Sequence, residues 1–268
     1  MLAPAKAPKT GIYIAISTSK VLLVPYSKWH VPRYHEWMKD EEIQEATASE
    51  PLSLEEEYAM QQSWRQDPDK LTFIVCQPTT TTTSSSSDFA GEGEVTKLDD
   101  HTADEPHHMV GDINLFLRVD DGEEGESDPQ LVGEIELMIA EKRNQRRGFG
   151  KAALYTFLRY IVDHEAEILE EFVAGDAAAL QALTVSGLQQ PPRPWRFACL
   201  SVKIGQANER SLALFEGAGF RKVSPEPNYF GEFELRRLRE SLERGLVDES
   251  LDGAGVAGYT ELEYTRVQ

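Results

Sequence analysis

The sequence predicts an α/β fold: a mixed, mostly antiparallel sheet around one central strand–helix–strand unit. Three observations carry this. Short runs rich in β-branched and aromatic residues recur between turn-like or acidic connectors over 21–139. One long helical pattern opens at Gly148 between two such runs, the arrangement of a right-handed parallel crossover. The repeated strand–helix alternation of a doubly wound sheet is missing. At 268 residues, 40% of them hydrophobic, the chain suits one large domain with a full core.

The elements follow in order. Residues 21–26 read as a strand, and 32–45 as a helix with Tyr34, Trp37, Met38 and Ile43 on its apolar face. Ser53 with Glu56 three residues on forms a capping box, so a second helix should run to about Gln66. Residues 71–76 are a strand. The Thr/Ser run 79–87 and the acidic stretch after it predict a disordered insertion over about 78–106. Strands at 109–118 and 131–139 flank an acidic hairpin tip at 120–129. A helix is expected over 148–168, a second disordered insertion over about 170–194, a strand at 197–204 and a short helix at 208–218. A closing hairpin (221–227 with 232–236), a charged helix (237–246) and an alternating edge strand (259–267) complete the chain. The expected organisation is a single domain over 20–268 after a flexible segment, 1–19.

Composition excludes several classes. The net charge is −19, against nucleic-acid binding, and residues 88–130 hold fourteen acids and two bases. No apolar run reaches membrane-spanning length, and Ser17 to Lys20 interrupt the apolar patch near the start, against a membrane span or secretory signal. Cys76 and Cys199 sit in strand-like runs and read as reduced core residues of a cytoplasmic protein. No CxxC or HxxxH spacing occurs, so no metal is expected.

The chemistry concentrates between 131 and 153. A strand leads into Gln145, Arg146, Arg147, Gly148, Phe149 and Gly150, where a helix begins. Residues 142–151 hold five bases and no acid. Glycines permit close backbone approach, and a helix N-terminus offers unpaired N–H groups and a positive dipole end. Together they suit a pyrophosphate. An ordinary charged turn is the structural alternative. A P-loop fails, because Gln145 stands where its first glycine belongs and Ala152 follows Lys151. A dinucleotide fingerprint is a poor fit, because an eight-residue basic loop, 140–147, separates the strand from Gly148.

The run from Gln145 to Gly150 resembles the acetyl-coenzyme A loop of the GCN5-related N-acetyltransferases. A second signature of that family follows about sixty residues on, with Asn208, Ser211, Leu214, Phe215, Gly219 and Phe220 in the family's spacing. Runs at 34–38, 47–52, 57–61, 110–116, 133–140 and 203–206 resemble the N-acetyltransferase 9-like family within it. The resemblance covers roughly 20–236. It implies the GNAT fold, acetyl-CoA as cosubstrate, and acetylation of a protein or peptide with a free N-terminus, with tubulin N-termini the acceptor the family suggests. It further implies that Met138, Ile139 and Ala140 meet the pantetheine and the developing oxyanion. Arg146 to Lys151, with Gln145, would hold the pyrophosphate, and Asn208 the pantetheine arm.

Glu134 and Glu136 lie two apart on a strand and share a face, so one of them can serve as general base. Flanking a polar opening or binding a nearby Arg is the alternative. Glu50, between the first two helices, is the candidate for substrate recognition. Phe215 stands in the cofactor-binding signature where the family has a tyrosine that protonates the leaving thiolate, so no general acid is assigned. Freeing an α-amine of its proton at pH 7 costs about 1 kcal/mol, against about 4.6 kcal/mol for a lysine, which favours the α-amine. The competing readings are a polyamine or other small-molecule acetyltransferase and a coenzyme A-binding cytoskeletal adaptor with weak catalysis.

Overall fold

The computed structural model describes residues 13–78, 98, 102–120, 128–185 and 194–265. The predicted fold class is the one observed. One nine-stranded sheet runs in the order β7-β8-β6-β5-β4-β3-β2-β1-β9. Its strands are β1 (Tyr13–Ser17), β2 (Leu22–Pro25), β3 (Lys70–Cys76), β4 (Met109–Asp120), β5 (Gln130–Ile139), β6 (Cys199–Gly205), β7 (Arg221–Lys222), β8 (Glu232–Leu238) and β9 (Thr260–Tyr264). Every neighbouring pair is antiparallel except β5 and β6. That parallel pair is joined through α4 (Phe149–Asp163), α5 (Glu165–Gly175) and α6 (Ala177–Val185).

Strand alternation divides the apolar residues between two faces. Phe73, Ile113, Leu115 and Ile135 pack with Phe157, Tyr160 and Leu158 of α4 in the larger core. Ile74, one position out of phase with Phe73, and Met109, brought to this face by the register shift at Val75/Cys76, meet Val31, Tyr34, Trp37 and Met38 in a smaller one, below α1 (Val31–Trp37). α2 (Glu41–Thr47) and α3 (Leu54–Gln66) follow α1, and α3 carries the expected capping box between Ser53 and Glu56. Among the described residues no helix is long and apolar enough to cross a membrane.

Several expectations are corrected. Tyr13–Ser17 is no flexible leader: Ala15 and Ile16 are fully buried, and the strand pairs with both β2 and β9. Thr18 and Ser19 form the turn that follows, and 1–12 lies outside the described residues. The helix expected over 32–45 is two helices, because the Asp40 side chain accepts the Glu42 N–H and caps a new start. The helix expected over 148–168 breaks at His164, whose Nε2 is 2.9 Å from Glu261 of β9.

The expected insertion over 170–194 is helical to residue 185. There Phe172, Val173, Ala179 and Leu183 extend the larger core, and 186–193 are outside the described residues. At the end of the first insertion, Asp104 is buried and accepts from the Tyr264 hydroxyl (2.5 Å), with His30 Nε2 at 2.9 Å. Residues 79–97 and 99–101 of that insertion, and 121–127 of the hairpin tip, lie outside the described residues. Arg237 belongs to β8 rather than a helix; its guanidinium donates to the carbonyls of Ala218 and Ser241. The charged helix begins later, as α8 (Arg244–Gly253).

Candidate active site

The site begins where two parallel strands part. β5 pairs with β6 only from Val132 to Glu134. Yet β5 continues along β4 to Ile139, and β6 continues along β8 to Gly205. Beyond Glu134 the β6 side of β5 therefore faces a gap. The Ala140 N–H donates to the Val110 carbonyl of β4, 3.0 Å away. Backbone direction alternates along a strand, so Met138 also turns its amide to β4, while Leu137 and Ile139 turn theirs into the gap. Of the three backbone positions expected here, Ile139 is the one so directed, and Leu137 joins it.

Past the gap the chain makes a 3₁₀ turn at Lys142–Asn144, and Gln145 Nε2 donates to the Ile139 carbonyl, 3.0 Å away. Arg146 and Gly148 both take left-handed backbone, at φ 59° and 89°. For a non-glycine residue that conformation is strained, and it bends the loop so that α4 starts at Phe149. No side chain caps this start, so the N–H groups of Phe149, Gly150 and Lys151 have no partner within the helix.

Acids take up part of the loop's charge. Lys142 pairs with Glu42 at 2.8 Å, and Arg143 with Glu141 at 2.7 Å. Arg146, Arg147 and Lys151 make no ion pair among the described residues; Arg147 donates to Asn144 Oδ1. An uncapped helix end beside three uncompensated cations and a strand with open amides fits a ligand with a pyrophosphate at one end and amides along its arm. α7 (Glu209–Gly217) starts at Asn208, whose Oδ1 accepts the Ser211 N–H at 3.2 Å. Phe215 is buried, edge-on to Phe220, and offers no proton.

The two strand carboxylates do share a face, and their surroundings differ. Glu134 Oε2 accepts from Lys203 Nζ (3.1 Å) and Arg118 Nη1 (3.4 Å). Glu136 makes no such bond among the described residues and reaches solvent. Protein atoms nonetheless crowd its carboxyl: desolvation first, then the charges of Asp112 and Glu134, push its pKa up to about 7, with Lys203 opposing. Glu50 is exposed in the loop between α2 and α3 and makes no ion pair among the described residues.

Three polar residues beside this site escape a reading by sequence alone. Asp112 and Asn114 are buried on β4, with Asn114 directly opposite Glu136 and Asp112 opposite Met138. Tyr34 of α1 hydrogen-bonds Asp112. The available signal was the period: two polar residues, two apart, inside the otherwise apolar strand 109–117.

A family model described as an acetyltransferase (GNAT) domain matches residues 20–221. The chain belongs to the GNAT acetyltransferase family. It is 36% identical over 243 residues to an N-acetyltransferase 9-like protein of Schizosaccharomyces pombe, covering 84% of this chain and 96% of that one. It is 36% identical over 233 residues to the human alpha/beta-tubulin-N-acetyltransferase 9, covering 86% of each. A crystal structure of an aminoglycoside acetyltransferase with coenzyme A and kanamycin superposes with a TM-score of 0.49 at 14% identity, over 85% of this chain and 98% of that one. As a GNAT member the protein is an N-acetyltransferase, and acetyl-CoA is its cosubstrate.

Proposed function

We propose that this GNAT enzyme acetylates the α-amine at the N-terminus of a protein, with Glu136 as the base. The observation that carries the reading is the position of Glu136: it lies beside the gap between β5 and β6 with no ion pair among the described residues, while Lys203 and Arg118 occupy its neighbour Glu134, and its raised proton affinity agrees with that role. A carboxyl held at about 7 faces an α-amine whose pKa is about 7.8, so proton transfer between them is nearly even in free energy. For a lysine at about 10.4 the same transfer is uphill by several kcal/mol. Tubulin N-termini are the first acceptors to try, because a relative 36% identical carries tubulin in its name.

The roles follow from position. The acceptor ammonium gives one proton to the Glu136 carboxylate. The freed nitrogen attacks the thioester carbonyl, and the outward N–H groups of Leu137 and Ile139 lie where the pantetheine amides and the developing oxyanion run. The C–N bond forms and the C–S bond breaks. The remaining excess proton on nitrogen passes to solvent, and the sulfur leaves as thiolate and is protonated by water, since Phe215 has no proton to give. Gln145 braces the end of β5. The N–H groups from Phe149 to Lys151, with Arg146 and Arg147, hold the pyrophosphate. Asn208, with its carbonyl committed to the helix, has its amide N–H₂ for the pantetheine arm. Met138 and Ala140 face β4 and shape the strand rather than donate to the cosubstrate. Glu50, on the open loop, meets the acceptor chain beyond its first residue.

The test is acetyl-CoA turnover, read as free thiol, on peptides with free N-termini including tubulin starts, beside spermine and a lysine peptide blocked at its N-terminus. The reading expects turnover on the free N-termini at least tenfold above the others. Turnover confined to spermine would replace it with a polyamine acetyltransferase.

A further inference from the structure

The transfer reaction leaves a buried polar layer on the α1/α3 face of the sheet without a task. Side chains directly opposite in a ladder share a face, with Cβ atoms about 5 Å apart. One row crosses three strands as Thr72, Asn114 and Glu136, and the next as Ile74, Asp112 and Met138. Asn114 is 4% exposed and Asp112 2%. Over them lie Tyr34 of α1, Tyr26 after β2, and Glu57 of α3; the charges of Asp112, Glu57 and Glu136 are all felt at Tyr34.

The hydrogen bonds in this layer have a direction. Asn114 Nδ2 donates to Asp112 Oδ2 at 2.8 Å, and the Tyr34 hydroxyl donates to the same carboxylate. Oδ2 accepts here, whether as a carboxylate oxygen or as the carbonyl oxygen of the protonated acid, so Asp112 fixes which end of the Asn114 amide is nitrogen. The carbonyl end, Oδ1, is left buried with no hydrogen-bond partner. Thr72 Oγ1, Asp112 Oδ1, Tyr26 Oη and Glu57 Oε2 of the same layer share that condition. A buried acceptor without a donor costs about 1–3 kcal/mol, and a group of them beside a base is the complement of a ligand that brings N–H groups.

We propose that Asn114 Oδ1 and the Glu136 carboxylate together bind the acceptor's ammonium group, and that Asp112, held by Tyr34, is the positioning residue that turns Asn114 towards it. The inference rests on the amine-acetylating function above and adds the part of the site that recognises the amine. An ammonium has three N–H donors. One points to Glu136 and is the proton transferred; a second goes to Asn114 Oδ1; the lone pair is left where the first proton was, and rotation about the Cα–N bond then turns it to the thioester carbonyl. A neutral acceptor suits this place, because an amide carbonyl cannot take the proton, so only Glu136 receives it. A second full carboxylate in contact with the ammonium would hold it charged. Asp112 is one row away, and its carboxyl is hydrogen-bonded by Asn114 and Tyr34 rather than by the ammonium.

The experiment compares a peptide with a free α-amine and its des-amino analogue, both binding to the enzyme with coenzyme A present, in wild type, Asn114→Ala and Asp112→Asn. Wild type should prefer the amine at least tenfold. Asn114→Ala should cut that preference to threefold or less and raise the peptide KM about tenfold, with coenzyme A affinity within twofold of wild type. Asp112→Asn should reduce the preference to an intermediate value, which a merely structural loss would not do, since it would weaken both peptides alike. If Asn114→Ala does not fold, Asn114→Ser carries the same comparison. An undiminished amine preference in a folded Asn114 variant overturns the inference while leaving the acetyltransferase reading intact. A wild-type enzyme that turns over no free N-terminus brings down the functional reading first, and this inference with it.

Discussion

The two faces of the sheet are made by the same strands and do opposite work. Towards α4, Phe73 packs edge-on against Phe157 and Tyr160 with ring centroids 5.8 and 5.4 Å away, among Ile113, Leu115 and Ile135. One residue out of phase, the other face carries Thr72, Asp112, Asn114, Glu134 and Glu136. Burial stabilises the first face throughout; on the second it stabilises the smaller core around Ile74 and Trp37 but raises the free energy of the carboxyls, which lose water. The contrast teaches that the fold's stability and its chemistry are separated by a single step along each strand. A register slip of one residue would exchange them.

The sharpest way to break this contrast is to cut into the apolar face. Phe157→Ala should lower the unfolding free energy by about 3–5 kcal/mol in denaturant titration, because the side chain is fully buried. A loss below about 1 kcal/mol would mean that this face is not where stability resides.

Next comes the polar face. Glu136→Gln should reduce kcat/KM on the best acceptor about 100-fold or more, roughly 2.7 kcal/mol in barrier, with an unfolding midpoint equal to or above wild type. Glu134→Gln should cost less than tenfold, because Lys203 and Arg118 already occupy its carboxylate. Equal losses in the two variants would erase the distinction between the neighbours.

The pH dependence separates the faces without a mutation. Glu136 must be deprotonated to act, so kcat/KM should rise as pH rises through about 7. Burial holds Asp112 at about 7, well above its value of about 3.9 in the unfolded chain. Between these two values the folded state keeps a proton that the unfolded state has released. Stability associated with this group is therefore full below about pH 4 and declines as pH rises towards about 7. Asp112→Asn should flatten that part of the stability profile, measured by denaturant midpoints from pH 4 to 7.

The smallest effect belongs to a position on neither face. Nothing lies within 4 Å of a Cβ built at Gly148, so Gly148→Ala meets only the strain of φ 89°, roughly 1 kcal/mol. Acetyl-CoA affinity, measured by calorimetry, should fall by tenfold or less. A larger fall would mean that the loop's left-handed turn also sets the ligand geometry.

Local patterns were the legible part. The capping box at Ser53 and Glu56, the strands from Leu22 to Ile139, the basic loop before α4 and the edge strand at 260–264 all follow from short-range chemistry. What escaped depended on distant partners. β1 is short and becomes a strand because β2 and β9 flank it. The break at His164 answers to Glu261, 97 residues away. The segment 177–185 is alanine-rich and weakly patterned, and it acquires a buried side only from the core it lies on.

The sheet-and-helix order, the uncapped, basic helix start and the shared face of Glu134 and Glu136 are written in the order of residues, since periodicity and spacing are properties of neighbours along the chain. Which of the two carboxylates stays without an ion pair among the described residues, where β5 and β6 part, and the place of Asp112 and Asn114 beside Glu136 emerge with folding. Those outcomes turn on Lys203, Arg118, β4 and Tyr34, residues brought together by folding, and a carboxyl's proton affinity is set by what surrounds it rather than by what precedes it.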